Sequence, residues 1–128
     1  EIFHDKDLRE QVVMLYSGRN AEAVMKEKNG EDLGITTGAS NDIEKATGII
    51  KKMITEYGMN ENFGLLNLEE LEIKPDVIAK EAVNLSKELC SESYKLMMDN
   101  ADTLKKIAEA LIEKETLTGE EIRKIAGK

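Results

Sequence analysis

The sequence predicts a mainly α fold: a helical bundle with long antiparallel helices and at most one short extended segment, near residues 34–39. Three observations lead there. Apolar residues recur at three- and four-residue spacing in most segments. With three Tyr, two Phe and no Trp, the core falls to Leu, Ile, Val, Met and Ala, the good helix formers among which favour an α-rich fold. The only proline, Pro75, stands where a helix can begin. At 128 residues, 41% hydrophobic and 34% charged, the chain has the size and apolar content of one domain with a modest core.

The first pattern is Leu8, Val12, Val13, Leu15, Tyr16, a short amphipathic helix that Ser17-Gly18 is expected to cap. A second helix is expected from about Asn20 to Met25, with Asn29-Gly30 as the breaker after it. Ile35, Thr36 and Thr37, β-branched and set between glycines, favour an extended stretch. Asn41 and Glu44 have capping-box spacing, and Ile43, Ala46, Ile50, Met53, Ile54 and Tyr57 form one apolar helix face that Gly58 ends. From Met59 to Lys74 neither period lasts, which reads as a packed loop. Pro75 then opens a long helix with a stripe of Ile78, Ala82, Leu85, Leu89 and Leu96, running to Asp99-Asn100. Asn100 is placed to cap the next helix, whose Leu104, Ile107, Ala108, Leu111 and Ile112 have the cleanest helical spacing in the chain. Thr118 and Glu121 form a second capping box, opening a last short helix with Ile122 and Ile125 inward.

Charge and composition exclude several functions. A net charge of -8 repels a phosphate backbone, and no Lys and Arg cluster interleaved with aromatics occurs, so nucleic acid is not an expected partner. Cys90 is the only cysteine, which rules out an internal disulfide and a cysteine-built zinc site; beside an apolar stripe it reads as an inert, partly buried thiol. No run approaches the roughly 18 apolar residues of a membrane span, and the N-terminus E-I-F-H-D-K-D-L lacks signal-peptide regions, so the piece is expected to be soluble. The start without Met and in mid-pattern suggests a piece of a longer protein.

Among residues able to carry chemistry, Asp42 falls in the first turn of its helix, where free N–H groups and the helix dipole suit a carboxylate. That is an ordinary place for an acidic residue. It is also a place that fixes a carboxylate in direction, as a metal ligand requires. His4, the only histidine, is followed by Asp5 and lies near the terminus, where an exposed residue without chemistry is expected.

Four blocks resemble one family. Leu15 to Glu22, L-Y-S-G-R-N-A-E, is similar to L-x-G-G-R-A-A-E, and Thr36 to Thr47, T-T-G-A-S-N-D-I-E-K-A-T, agrees almost letter for letter. Met53 to Met59, M-I-T-E-Y-G-M, is similar to M-V-T-E-Y-G-M, and Leu111 to Glu121 to L-L-E-K-E-T-L-x-G-x-E. These are motifs of the FtsH family of membrane-anchored, ATP-dependent zinc proteases. The resemblance implies that residues 1–128 are the C-terminal portion of a zinc metallopeptidase domain. It also implies that Asp42, the aspartate of S-N-D, is the third zinc ligand beside two histidines of an H-E-x-x-H helix whose glutamate is the general base.

That helix cannot lie here, since it needs two histidines. Nor does the phosphate-binding loop G-x-x-x-x-G-K followed by Ser or Thr occur, so ATP and Mg would belong to an upstream ATPase module. The implied whole is a hexameric zinc endopeptidase degrading membrane and misfolded cytosolic proteins, held in the cytoplasmic membrane by N-terminal spans absent here, with this part on the cytoplasmic side. The piece alone is expected to be inactive. The alternative is a degenerate relative in which the helices survive as an oligomerisation or scaffold module; a free-standing helical adaptor is a third reading. Two departures stand out: the Met59–Pro75 connection is short, with F-G-L-L at Phe63 to Leu66 where L-G-P is common, and Asn20 and Ala23 replace small or acidic residues.

Overall fold

A computed structural model describes residues 2–29, 37–114 and 117–127. The described residues form five α-helices: α1 (Asp5–Asn29), α2 (Ser40–Thr55), α3 (Pro75–Asp99), α4 (Ala101–Lys114) and α5 (Gly119–Ile125). Among the described residues there is no strand. Residues 34–36 of the expected extended segment lie outside the described residues, and Thr37–Ala39 form a 3-10 turn leading into α2.

α1 corrects the first expectation. Ser17-Gly18 does not end a helix; one helix of 25 residues runs through it. The reason lies in tertiary contact. Leu8, Val12, Asn20 and Val24, at multiples of four on one face, are all buried, so packing on both sides of Gly18 outweighs the roughly 1 kcal/mol a mid-helix glycine costs. Ser17 Oγ turns back to donate to the Met14 carbonyl at 2.5 Å, which keeps it within the helix.

α2 begins at Ser40, with Ala39 in the cap position and no side-chain cap bond, so Asn41 and Glu44 do not form the expected box. The 3-10 turn supplies the entry instead. Ala46, Ile50, Met53 and Ile54 are buried as the stripe predicts, while Ile43 and Tyr57, at its two ends, are exposed. Gly58, at φ +63°, takes the left-handed conformation that closes the helix.

Residues 59–74 form turns tied to α3 by the Asn60 and Asn62 amides on Glu81, with Leu68 as their one fully buried anchor. Leu68 is buried, and its N–H donates to the Thr55 carbonyl at 2.8 Å. The Ile73 N–H then reaches the Leu68 carbonyl and the Glu72 N–H the Glu69 carbonyl, the pairing of a Schellman turn, with Glu72 at φ 52° where glycine is usual.

α3 starts at Pro75 as the sequence predicts. Its inward stripe differs in its last member: Leu96 is exposed, and Ser93 is buried in its place. Asn100 also departs from expectation, because its side chain donates to the Leu96 carbonyl at 2.8 Å and so closes α3 rather than capping α4. Leu104, Ile107 and Ala108 of α4 are half-buried; the side chains of Leu111 and Ile112 lie outside the described set. The Thr118 capping box forms, with the hydroxyl accepting from the Glu121 N–H at 3.1 Å, and Lys114 pairs with Glu121 at 2.7 Å. Ile125 is half-buried, but Ile122 is exposed rather than inward.

The core lies where α1, α2 and α3 meet: Val12, Ala46, Ile50, Ile54, Leu68 and Leu89 form one buried cluster. α1 packs most extensively on α3, through a seam that is polar as well as apolar. Tyr16 and Ser86 share a hydrogen bond at 2.8 Å, Asn20 donates to the Cys90 carbonyl at 3.3 Å, and Tyr94 donates to Glu27. Cys90 is half-buried there against Asn20, a setting that keeps its thiol in a packed interface.

A candidate metal-ligand position between two helices

Asp42 occupies the first turn of α2, half-buried. Beneath it the fold is fixed by Ala39 and Ala46, both buried, so the first turn is pinned to the core on its inner side. Among the described residues no hydrogen bond or ion pair engages the Asp42 carboxylate. It borders an open groove of about 850 Å³ between α1 and α2, to which α2 also contributes Lys45 and Ile49, and α1 contributes Met14 and Leu15. A carboxylate that is held at its base and unspent at its tip can accept a cation or a donor from the groove side.

The other sequence candidates do not join it. His4 is exposed ahead of α1, where its carbonyl accepts from the Asp7 and Leu8 N–H groups and its own N–H donates to Asp7 at 3.2 Å. Its role is to start the helix. Cys90 lies in the α1–α3 seam. Among the described residues no three His, Cys, Asp or Glu side chains come together to hold a metal ion. Asp42 therefore fits zinc as one hard oxygen donor, not as a complete ligand set, which takes four positions with nitrogen, sulfur or further oxygen ligands.

A match to the model of peptidase family M41 extends over residues 1–125. The chain belongs to that family. Relatives of this M41 chain include ATP-dependent zinc metalloprotease FtsH 1 of Thermoanaerobacter sp. (strain X514), 38% identical over 93% of this chain and 21% of that protein. The FtsH proteins of Rubrobacter xylanophilus and Caldicellulosiruptor bescii are 37% and 35% identical, over 92% and 93% of this chain and 20% and 21% of theirs. The M41 chain thus spans about a fifth of the length of the curated relatives it matches. Among its described residues no helix is long and apolar enough to cross a membrane.

Sequence reasoning singled out Asp42 as a candidate and missed the groove beside it. One signal was present: Val12–Tyr16, V-V-M-L-Y, is apolar on every side of α1, not along one stripe. Gly48 and Ile49 carried no such mark.

Proposed function

We propose that this chain is the C-terminal part of the peptidase domain of an ATP-dependent zinc endopeptidase, and that Asp42 supplies the carboxylate ligand to its metal. The observation that carries the reading is the Asp42 carboxylate, without a partner among the described residues, on a core-anchored helix turn inside the run that resembles the family's third-ligand segment. Asp42 would be one of the residues that hold zinc, and the metal would supply Lewis-acid chemistry for hydrolysis of a peptide carbonyl. Asp42 itself contributes a negative oxygen whose direction is set by α2, and the groove keeps one side of it open for the remaining ligands. The two histidines, the general base, and the module that binds ATP and Mg belong to the rest of the protein. By itself this chain is inactive.

On this reading the whole protein is a hexamer in the cytoplasmic membrane, with this part on the cytoplasmic side, and its substrates are membrane and misfolded proteins. The names of its relatives, ATP-dependent zinc metalloproteases, support protein substrates; the membrane anchoring and the hexamer follow from the motif resemblance. The deciding experiment uses the full-length protein. Asp42→Ala is expected to lower bound zinc well below one per subunit and to abolish casein cleavage, while ATP hydrolysis stays measurable. Casein cleavage at the wild-type rate in that variant would remove the assignment.

A further inference from the structure

Two helices of this chain are entered in different ways. Thr118, ahead of α5, has φ −77° and ψ 161°, the extended backbone from which a cap hydroxyl reaches the Glu121 N–H. Ala39, ahead of α2, has φ −86° and ψ 0°, between the helical and extended regions, and makes no side-chain cap bond. Alanine is a poor choice for that position, where Ser, Thr, Asp and Asn are preferred. The chain enters α2 straight from the 3-10 turn Thr37–Ala39, without the usual local lock on a first turn.

Packing takes over what the cap leaves open. Among Thr37–Asn41 only Ala39 is buried, at 5% exposure; its four neighbours are exposed. The next buried side chain is Ala46, in the core cluster that includes Val12 of α1. Asp42 stands between the two alanines, three residues after one and four before the other, spacings that set all three along one side of α2. The 3-10 turn lies against α1 as well as α2, so the Ala39 methyl group is the buried contact through which the described part of the entry is held. A larger side chain there pushes the turn away from α1, and a glycine removes the contact. A helix tolerates either change, whereas a metal ligand works only within about 10–20° of its productive direction.

We propose that Ala39 is a positioning residue for Asp42: its buried methyl group seats the uncapped 3-10 entry against α1 and so sets the direction in which the Asp42 carboxylate meets the metal. The inference rests on reading Asp42 as a zinc ligand.

Two measurements on the full-length protein test it: zinc affinity by chelator competition, and the visible spectrum of the cobalt(II) form, which reports ligand geometry. Ala39→Val is expected to lower zinc affinity about tenfold or more, the loss that follows damage to the support behind a metal ligand, and to shift the cobalt bands. Ala39→Gly adds no bulk and glycine caps better than alanine, so this variant folds; it is expected to lower the affinity roughly threefold or more and to shift the bands. Leu68→Ala is the stability control, since it removes a buried side chain at the other end of α2, and it is expected to leave affinity and spectrum at wild type. Wild-type affinity and bands in Ala39→Gly would overturn the inference, whatever Ala39→Val does. An equal loss in Leu68→Ala would overturn it too, by making fold stability the cause. Asp42→Ala separates the two readings. Zinc lost there, with Ala39→Gly at wild type, sinks the positioning role alone; zinc held there at wild-type affinity removes the ligand assignment and the positioning role with it.

Discussion

Gly18→Ala distinguishes a continuous α1 from a helix that stops at Ser17-Gly18, because the two give opposite signs. In the structure Gly18 lies within a 25-residue helix, exposed, with nothing within 4 Å of an added Cβ. Alanine there removes the excess backbone freedom of glycine in the unfolded chain and meets no neighbour, for a gain of about 0.5–1 kcal/mol. If Gly18 instead closed a helix in the left-handed conformation, alanine would cost about 1 kcal/mol or more. For 128 residues the unfolding entropy at about 2.1 cal/mol/K per residue is roughly 270 cal/mol/K, so the expected gain is a rise in Tm of about 2–4 °C. The assay is thermal unfolding of this chain followed by circular dichroism at 222 nm, with urea titration to check that m is unchanged. A fall in Tm, with m unchanged, would refute the continuous helix.

Other perturbations follow from the same structure. Glu72→Gly is expected to stabilise the chain by about 0.5–1 kcal/mol by relieving a left-handed glutamate, whereas Glu72→Ala, which keeps the strain, should change little in the same urea titration. Leu68→Ala removes the anchor of the 59–74 connection and should cost about 2–5 kcal/mol, read as a lower urea midpoint. Glu121 is held below the usual carboxylate range by the Lys114 ammonium and then by the Thr118 N–H. Its pairing therefore contributes fully above the unfolded carboxylate pKa and is lost as pH falls through the depressed folded value. Wild type should exceed Glu121→Gln in Tm at pH 7, with the difference vanishing in acid; a constant difference from pH 7 to pH 2 would remove the ion pair as its source.

The parts of the fold that could be read from the sequence are those decided locally. Pro75 opens α3 because it lacks an N–H that the first turn has no use for, and Thr118 with Glu121 closes its own box within four residues. The misread parts turned on packing between helices or, at Asn100, on which of two adjoining helices one side chain serves. Gly18 stays helical because Val12 and Val24 pack on either side of it, and Asn100 turns back to the Leu96 carbonyl instead of capping α4. Leu96 fits the α3 stripe by spacing, yet Ser93 takes the buried position, one turn beyond Cys90, whose carbonyl accepts from Asn20 of α1. For the site, periodicity could place Asp42 on a first turn, and the ligand role proposed for it came from the resemblance of the S-N-D motif. The groove needed coordinates, since it joins residues of α1 and α2 some 30 positions apart in the sequence.

The polar seam between α1 and α3 has a mechanical consequence. Its pairs, Tyr16 with Ser86, Asn20 with Cys90 and Glu27 with Tyr94, advance together along both helices, so a slip of one turn, about 5.4 Å, breaks all of them together. Asn20 is buried, and stranding its amide costs about 1–3 kcal/mol by itself. A purely apolar seam has no such stop. Load applied to α1 where α4 meets it thus displaces the α1–α3 pair as a unit, not as creep between its members.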